Sequence, residues 1–215
     1  MQEQSRQSLS AKAIGRLSLY RRMLQILKLH GVESVFSHEL ATLAGTTPSQ
    51  VRRDLMSVAS LGTPSQGYPV LATSQAIAAF LNGEARQRMI LVGAGSLGQA
   101  VLHYFQRNHP HLELAAVFDN DPAKAGREID GALVHGMDEL AGLVAKLQVR
   151  TAILTLTAEG AQETADRLVS CGIVSMLNFT NVRLRVPEGV YVEDTDIGVA
   201  LERVAYYGQR AAEED

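Results

Sequence analysis

Apolar residues recur at two different periods along this 215-residue chain, and the change falls between residues 80 and 87. Before it the spacing is helical. In "AKAIGRLSLYRRMLQILKLHG", Ile14, Leu17, Leu24 and Leu27 share one face and Gly31 is the expected stop. "SHELATLAG" predicts a short helix capped by Ser37 and ended by Gly45. "TTPSQVRRDLMSVASLG" predicts a third, with Thr47 as cap, Pro48 at the first helical position and Gln50 completing a capping box. Val51, Leu55 and Val58 form its inward face, while Ser49, Arg52, Arg53 and Met56 lie along an outer ridge. "LGTPSQGYPVL", with glycines around Pro64 and Ser65, predicts a hairpin or wing. "ATSQAIAAFLNGEARQR" predicts a connecting helix ending near Asn82–Gly83.

From Met89 the pattern becomes short apolar runs separated by helical stretches. "MILVGAG", "LELAAVFDND", "ALVHG", "TAILTLT" and "VSMLNFT" are strand candidates. "SLGQAVLHYFQRNH", "MDELAGLVAKLQ" and "EGAQETADRLVSCG" are the helices between them. This alternation predicts an α/β, Rossmann-like, doubly wound parallel sheet behind an all-α or winged-helix front segment.

Composition narrows the picture. No run approaches 18 uninterrupted apolar residues, so no membrane span is expected, and the polar start "MQEQSRQSLS" lacks the apolar core of a signal peptide. One cysteine, Cys171, forms no disulfide framework and suits a reducing cytoplasm; in "LVSCGI" it reads as a small core residue. Charge is uneven. Residues 1–80 hold eight Lys and Arg against four Asp and Glu, a balance of +4, which leaves −7 of the net −3 for the rest. A basic front on an acidic body fits two domains with different partners, the front one meeting a polyanion.

A short helix, a turn and a helix opening with Ser, Gln and Arg is the arrangement of a helix-turn-helix. Its N-terminus favours phosphate, and Gln50, Arg52 or Arg53 can reach base edges or backbone in the major groove. The same residues also fit a small dimerisation bundle with Arg52 and Arg53 solvated. In the second half, "LVGAGSLGQA" places Gly93, Gly95 and Gly98 after a strand and at the opening of a helix, with Asp119 about 20 positions on. Gly93 serves the tight turn, Gly95 the approach of backbone to pyrophosphate, and Gly98 the helix–strand contact. Asp119 can accept from a ribose and disfavours a 2′-phosphate, which argues for NAD(H) over NADP(H).

Hydride transfer needs a substrate pocket and a positioned acid or base. The six histidines are poorly placed for it. His30 and His38 lie in the front segment, His109 and His111 flank Pro110 in a loop, and His103 and His135 have no visible partner. "NVRLRVPEGVYVEDTDIGVALERVAYYGQRAAEED" is too short for a separate substrate domain. A small NAD(H)-dependent oxidoreductase with a helical dimerisation arm is the competing reading. No metal site and no catalytic residue is expected.

Taken together, the chain resembles the Rex family of bacterial redox-sensing transcriptional repressors. The likeness is carried by "IGRLSLYRRML", "QVRRDL", "GYPV", "VGAGSLGQAV", "FDNDPAKAGR" and "MLNFT", in order over about residues 10–210. It implies a winged-helix DNA-binding domain at 1–83, a Rossmann NAD(H)-binding domain at 84–194, and a dimerising helix at 195–215 that swaps into the other subunit. By the resemblance, Gly93, Ala94, Gly95, Ser96, Leu97 and Gly98 hold the pyrophosphate, and Asp119 and Asn120 meet the adenosine ribose with Lys124 nearby in the cofactor site. Thr155, Leu156, Thr157, Asn178 and Phe179 border the nicotinamide. Thr47, Ser49, Gln50, Arg52 and Arg53, with Gly67 and Tyr68 beyond the wing, meet double-stranded operator DNA. Arg16, Tyr104 and Asp196 form a redox switch, and Val199, Val204 and Tyr207 suit the swapped helix of a homodimer. NADH and NAD+ are then regulatory ligands; CoA or ATP is the alternative ligand class. The chain departs from the family's wing, reading "GTPSQGY" where an arginine is common, and "ILTLT" and "NFTN" lack its usual prolines.

Overall fold

The computed structural model describes residues 9–58, 62, 66–83, 87–108 and 112–213. Pro64, Ser65 and the "HPH" loop (His109, Pro110, His111) lie outside the described residues. The chain divides into two compact units at residues 85 and 86.

In the first unit, α1 (Ala11–Leu29), α2 (Ser37–Ala44), α3 (Pro48–Met56) and α4 (Val70–Asn82) surround a two-stranded ribbon, β1 (Ser34–Val35) antiparallel to β2 (Tyr68–Pro69). Leu17, Tyr20 and Leu24 of α1 are fully buried against Leu40, Val51, Leu55 and Ile77. Each such aliphatic burial contributes about 1.5–3 kcal/mol. Thr47 caps α3 as its sequence requires, its Oγ1 accepting from Gln50 N at 3.2 Å. The start of α2 differs from the expectation. Phe36 is the capping residue and Ser37 is already helical, while Glu39 reaches back to accept from Phe36 N at 2.7 Å. Gly45, left-handed at φ 62°, ends α2 as read.

The second unit is a seven-stranded sheet: β3 (Gln87–Val92), β4 (Leu112–Asp119), β5 (Glu128–Ile129), β6 (Ala132–Gly136), β7 (Thr151–Leu154), β8 (Ser175–Asn178) and β9 (Tyr191–Asp194). Its order is β5-β6-β4-β3-β7-β8-β9, all parallel except the β5–β6 hairpin. The helices are α5 (Ser96–Asn108), α6 (Leu140–Leu147), α7 (Ala161–Ser170) and α8 (Ile197–Glu213). Alternate residues of the strands feed opposite faces. Ile90, Val92, Phe118, Ala152 and Leu154 pack with Val144, Ala165 and Leu168 of α6 and α7. Leu91, Val117 and Ile153 pack with Leu102 and Phe105 of α5. Strand order reverses between β3 and β7, so the loops after their carboxyl ends meet at the switch point where ligands of such sheets bind. Among the described residues no helix is long and apolar enough to cross a membrane.

Candidate functional site

The glycine loop lies at that switch point and is tied down from three strands. Gly93 N donates to Phe118 O at 2.8 Å, Thr155 N to Val92 O at 3.0 Å, and Thr155 Oγ1 to Gly93 O at 2.7 Å. Gly93 has φ 106°, and a Cβ there would stand 2.8 Å from Thr155 O. Only glycine holds that backbone in that space. A Cβ on Gly98 would collide with the Gly93 carbonyl oxygen, so the first turn of α5 packs directly on β3. Gly95 differs: a Cβ built on it meets nothing within 4 Å. The first and third glycines are thus fixed by the protein's own packing, while the second fronts open space. A dinucleotide pyrophosphate fits this arrangement, backed by the loop and the N-terminus of α5, where Ser96 and Leu97 begin the helix.

Asp119, at the end of β4, is buried. Its Oδ2 accepts from Ala94 N at 2.7 Å and from Lys124 Nζ at 2.9 Å, and its Oδ1 from Asp121 N at 2.8 Å. Burial alone would raise its pKa; the Lys124 ammonium and the two backbone donors outweigh burial and hold it below the ordinary 3.8. The carboxylate that sequence reasoning assigned to the ribose therefore also fixes the backbone of Ala94 in the glycine loop. Asn120 beside it is exposed, and Lys124 is half-buried over it.

On the other side of the switch point, Thr155 and Leu156 are half-buried and Thr157 is exposed. Asn178 is fully buried with its amide saturated. Nδ2 donates to Val182 O at 2.9 Å and Asp194 Oδ1 at 2.7 Å, and Oδ1 accepts from Thr180 N and Thr180 Oγ1 at 3.0 and 2.7 Å. Asn178 thus shapes the turn after β8 and ties it to the end of β9, just before α8. Phe179 follows it, half-buried, with its N–H on Leu154 O. Asp196 caps α8, its Oδ1 accepting from Val199 N at 3.0 Å, and Tyr104 on α5 is exposed.

In the first unit, α3 presents Ser49, Arg52, Arg53 and Met56 to solvent. Arg52 bridges two helix starts, donating to Ser37 Oγ at 3.0 Å and Ser49 Oγ at 3.3 Å. The Arg53 side chain makes no hydrogen bond or ion pair with the described residues. Gly67, left-handed at φ 71°, lets the chain pass Val35, whose carbonyl oxygen would lie 2.9 Å from a Cβ; Tyr68 then pairs with Val35. Arg16 sits on Asp54 of α3, Nε to Oδ2 at 2.7 Å and Nη2 to Oδ1 at 2.8 Å. Tyr20 Oη adds 3.0 Å and Gln50 Nε2 adds 2.8 Å to the same carboxylate. Sequence reasoning missed Asp54. Its signal was an acid on the inward face of a helix, beside Val51 and Leu55, which requires buried partners. Burial, then the Asp54 hydrogen bond, pushes the Tyr20 phenol up to about 12. For Asp54 itself burial would raise the pKa, and the bonds from Arg16, Gln50 and Tyr20 overcome it.

Both depressed carboxylates carry a pH consequence. A lowered folded pKa gives stability that is complete above the unfolded value and lost as pH falls through the folded one. The urea midpoint is expected to drop as pH falls below about 4, and this acid limb to flatten in Arg16→Gln and in Lys124→Met. An unchanged limb in both variants would sink the assignment.

Among the described residues no three His, Cys, Asp or Glu side chains are grouped as for a metal ion. Two families match the chain: "Putative DNA-binding protein N-terminus" over residues 8–55 and "CoA binding domain" over residues 84–182. The chain is 38% identical over 201 residues to the "Redox-sensing transcriptional repressor Rex" of Rhodopirellula baltica, covering 94% of this chain and 85% of that one. It is 35% identical to the Streptomyces coelicolor protein of the same name, over 94% and 78%. Among solved structures, the Rex-family repressor RSP superposes with TM-score 0.85 at 32% identity, covering 96% of each chain. RSP in complex with beta-NAD+ and operator DNA gives 0.85 over 96% and 94%, and RSP with beta-NADH 0.83 over 96% and 95%. With identity above 30% across nearly the full length of such relatives, the chain belongs to the Rex family of redox-sensing transcriptional repressors.

Proposed function

We propose that this chain is a transcriptional repressor that reads the NADH/NAD+ ratio: it holds operator DNA through α3 and leaves it when NADH binds. The observation that carries this is its full-length likeness to RSP, which has been captured both with beta-NADH and with beta-NAD+ plus operator DNA. The locked glycine loop with open space before Gly95 supports the nucleotide half. In this reading the loop from Gly93 to Gly98 holds the pyrophosphate, Asn120 and Lys124 meet the adenosine ribose with Asp119 behind them, and Thr155–Thr157 with Phe179 border the nicotinamide. Asn178 acts there by shaping the turn. The nicotinamide carries a positive charge in NAD+ and none in NADH. Arg16, Tyr104 and Asp196 are the groups that answer this difference by exchanging partners. Exposed Arg53 and Ser49, with Arg52, Thr47, Gln50, Gly67 and Tyr68, form the DNA side. The nucleotide is read and not consumed, a homodimer spans the operator through α8, and DNA as partner puts the site of action in the cytoplasm. The limits of the three parts are residues 1–83, 84–194 and 195–215.

A ligand shifts DNA occupancy only by its differential affinity for the two states. A duplex selected from a random pool with the NAD+-loaded protein is the probe. Saturating NADH is expected to weaken its binding by about tenfold or more, a coupling of ~1.4 kcal/mol. Arg53→Ala is expected to weaken it without altering NADH affinity. Unchanged DNA binding with NADH overturns the sensing half. The name of the matched family favours a second reading, with CoA as ligand. A melting temperature raised by CoA and not by NADH or NAD+ would establish that reading instead.

A further inference from the structure

Asp54 is 4% exposed on a helix whose outer ridge faces solvent, and one carboxylate there takes four donors from two helices. Arg16 and Tyr20 lie a turn apart on α1; Gln50 and Asp54 lie a turn apart on α3. We infer that Asp54 is a specificity-positioning residue: with Arg16 bound, it holds the Gln50 amide in one orientation, so that Gln50 reads an adenine in the operator.

The orientation follows from what a carboxylate can do. Ionised Asp54 only accepts hydrogen bonds, so Gln50 must turn Nε2 towards it; the flipped amide would set Oε1 against Oδ1, two acceptors facing each other. The bidentate Arg16 pair keeps Asp54 ionised although it is buried. Gln50 keeps Oε1 and one remaining N–H for another partner. An acceptor beside a donor matches the N6 and N7 edge of adenine in the major groove, and mismatches the two acceptors of guanine. Gln50 is half-buried in the first turn of α3, and its backbone N–H is already fixed by Thr47. Its amide therefore arrives at the DNA with its position and its polarity set. This rests on the reading of α3 as the DNA-facing helix, and on Arg16 keeping Asp54 as its partner in the NAD+-loaded protein that holds DNA.

The test is selection of the full-length protein, loaded with NAD+, on a pool of random duplexes, followed by sequencing. Gln50→Ala is expected to flatten one position of the selected motif, and that position to be an A·T pair preferred by about tenfold. Asp54→Asn lets the amide flip, and is expected to flatten the same position while the flanking positions stay. Arg16→Gln leaves a buried carboxylate without its cation; the paired variant Arg16→Gln/Asp54→Asn removes both charges together and keeps the test open if the single variant does not fold. Added to Gln50→Ala, the pair is expected to change the motif no further. A purely structural role for Asp54 would lower affinity for all sequences equally. That result overturns the inference, as does a G·C pair at the Gln50 position. If the wild-type protein selects no motif, the repressor reading fails, and this inference with it.

Discussion

Gly98→Ala is expected to abolish measurable NADH binding, weakening it by at least about a hundredfold, while leaving the first unit folded. The added Cβ would overlap the Gly93 carbonyl oxygen and stand 2.9 Å from Thr155 Oγ1. Both are fixed, the carbonyl because it accepts from Thr155 Oγ1 and the hydroxyl because it donates to that carbonyl. No flexible side chain can yield, so α5 must move off β3, taking the loop N–H groups with it. Overpacking of this kind costs about 1–3 kcal/mol of stability. For a domain of this size that lowers the melting temperature by roughly 2–10 °C. Gly95→Ala separates stability from binding. Its Cβ meets no protein atom within 4 Å, so the melting temperature should stay at the wild-type value while NADH binding falls. Calorimetric titration with NADH and a thermal melt of each variant make the comparison. A Gly95→Ala protein that binds NADH as tightly as wild type would show that the open space is not the pyrophosphate's.

What the chain reveals of itself before folding divides along the same line. The doubly wound sheet was legible because each strand is a short apolar run between helical stretches, and the glycine spacing located the switch point. The hairpin of Glu128–Ile129 with β6 was not, since two residues carry no periodic signal. The partners of the site residues were hidden for a different reason: they are tertiary. Asp119 matched the ribose position of the fingerprint, yet nothing in "FDNDPAK" shows that its oxygens also take Ala94 N and Lys124 Nζ. Asn178 stood out by resemblance, and only the fold shows that its amide is saturated by Val182, Asp194 and Thr180. Arg16 was singled out only by resemblance, and its bond to Asp54 joins residues 38 apart. Motif spacing locates a group; it does not say which of its lone pairs are already taken.

Val204→Glu is expected to make the protein monomeric and to weaken operator binding by about a hundredfold. In the single chain every residue of α8 from 197 to 210 is exposed. Ile197, Leu201 and Val204, spaced at four and three residues, are exposed together with Val199, Tyr206 and Tyr207. A helix in a protein draws most of its stability from packing an apolar face, and this 17-residue one carries an apolar stripe from Ile197 to Tyr207 that no described residue of its own unit buries. In the proposed homodimer it is a second copy that would supply the cover. A symmetric interface counts each side chain twice. Losing one buried valine per subunit at ~1.5–3 kcal/mol then removes about 3–6 kcal/mol from the dimer, a factor of more than a hundred in its dissociation constant, before the cost of burying two carboxylates. Operator binding falls with it because two half-sites are then met by separate molecules and the gain from linkage is lost. Sedimentation at micromolar protein and anisotropy on the selected duplex measure both quantities. NADH binding by the second unit's glycine loop should persist, which distinguishes loss of the dimer from loss of the fold. A Val204→Glu protein that remains dimeric and holds DNA normally would mean that α8 is covered by something other than its own copy.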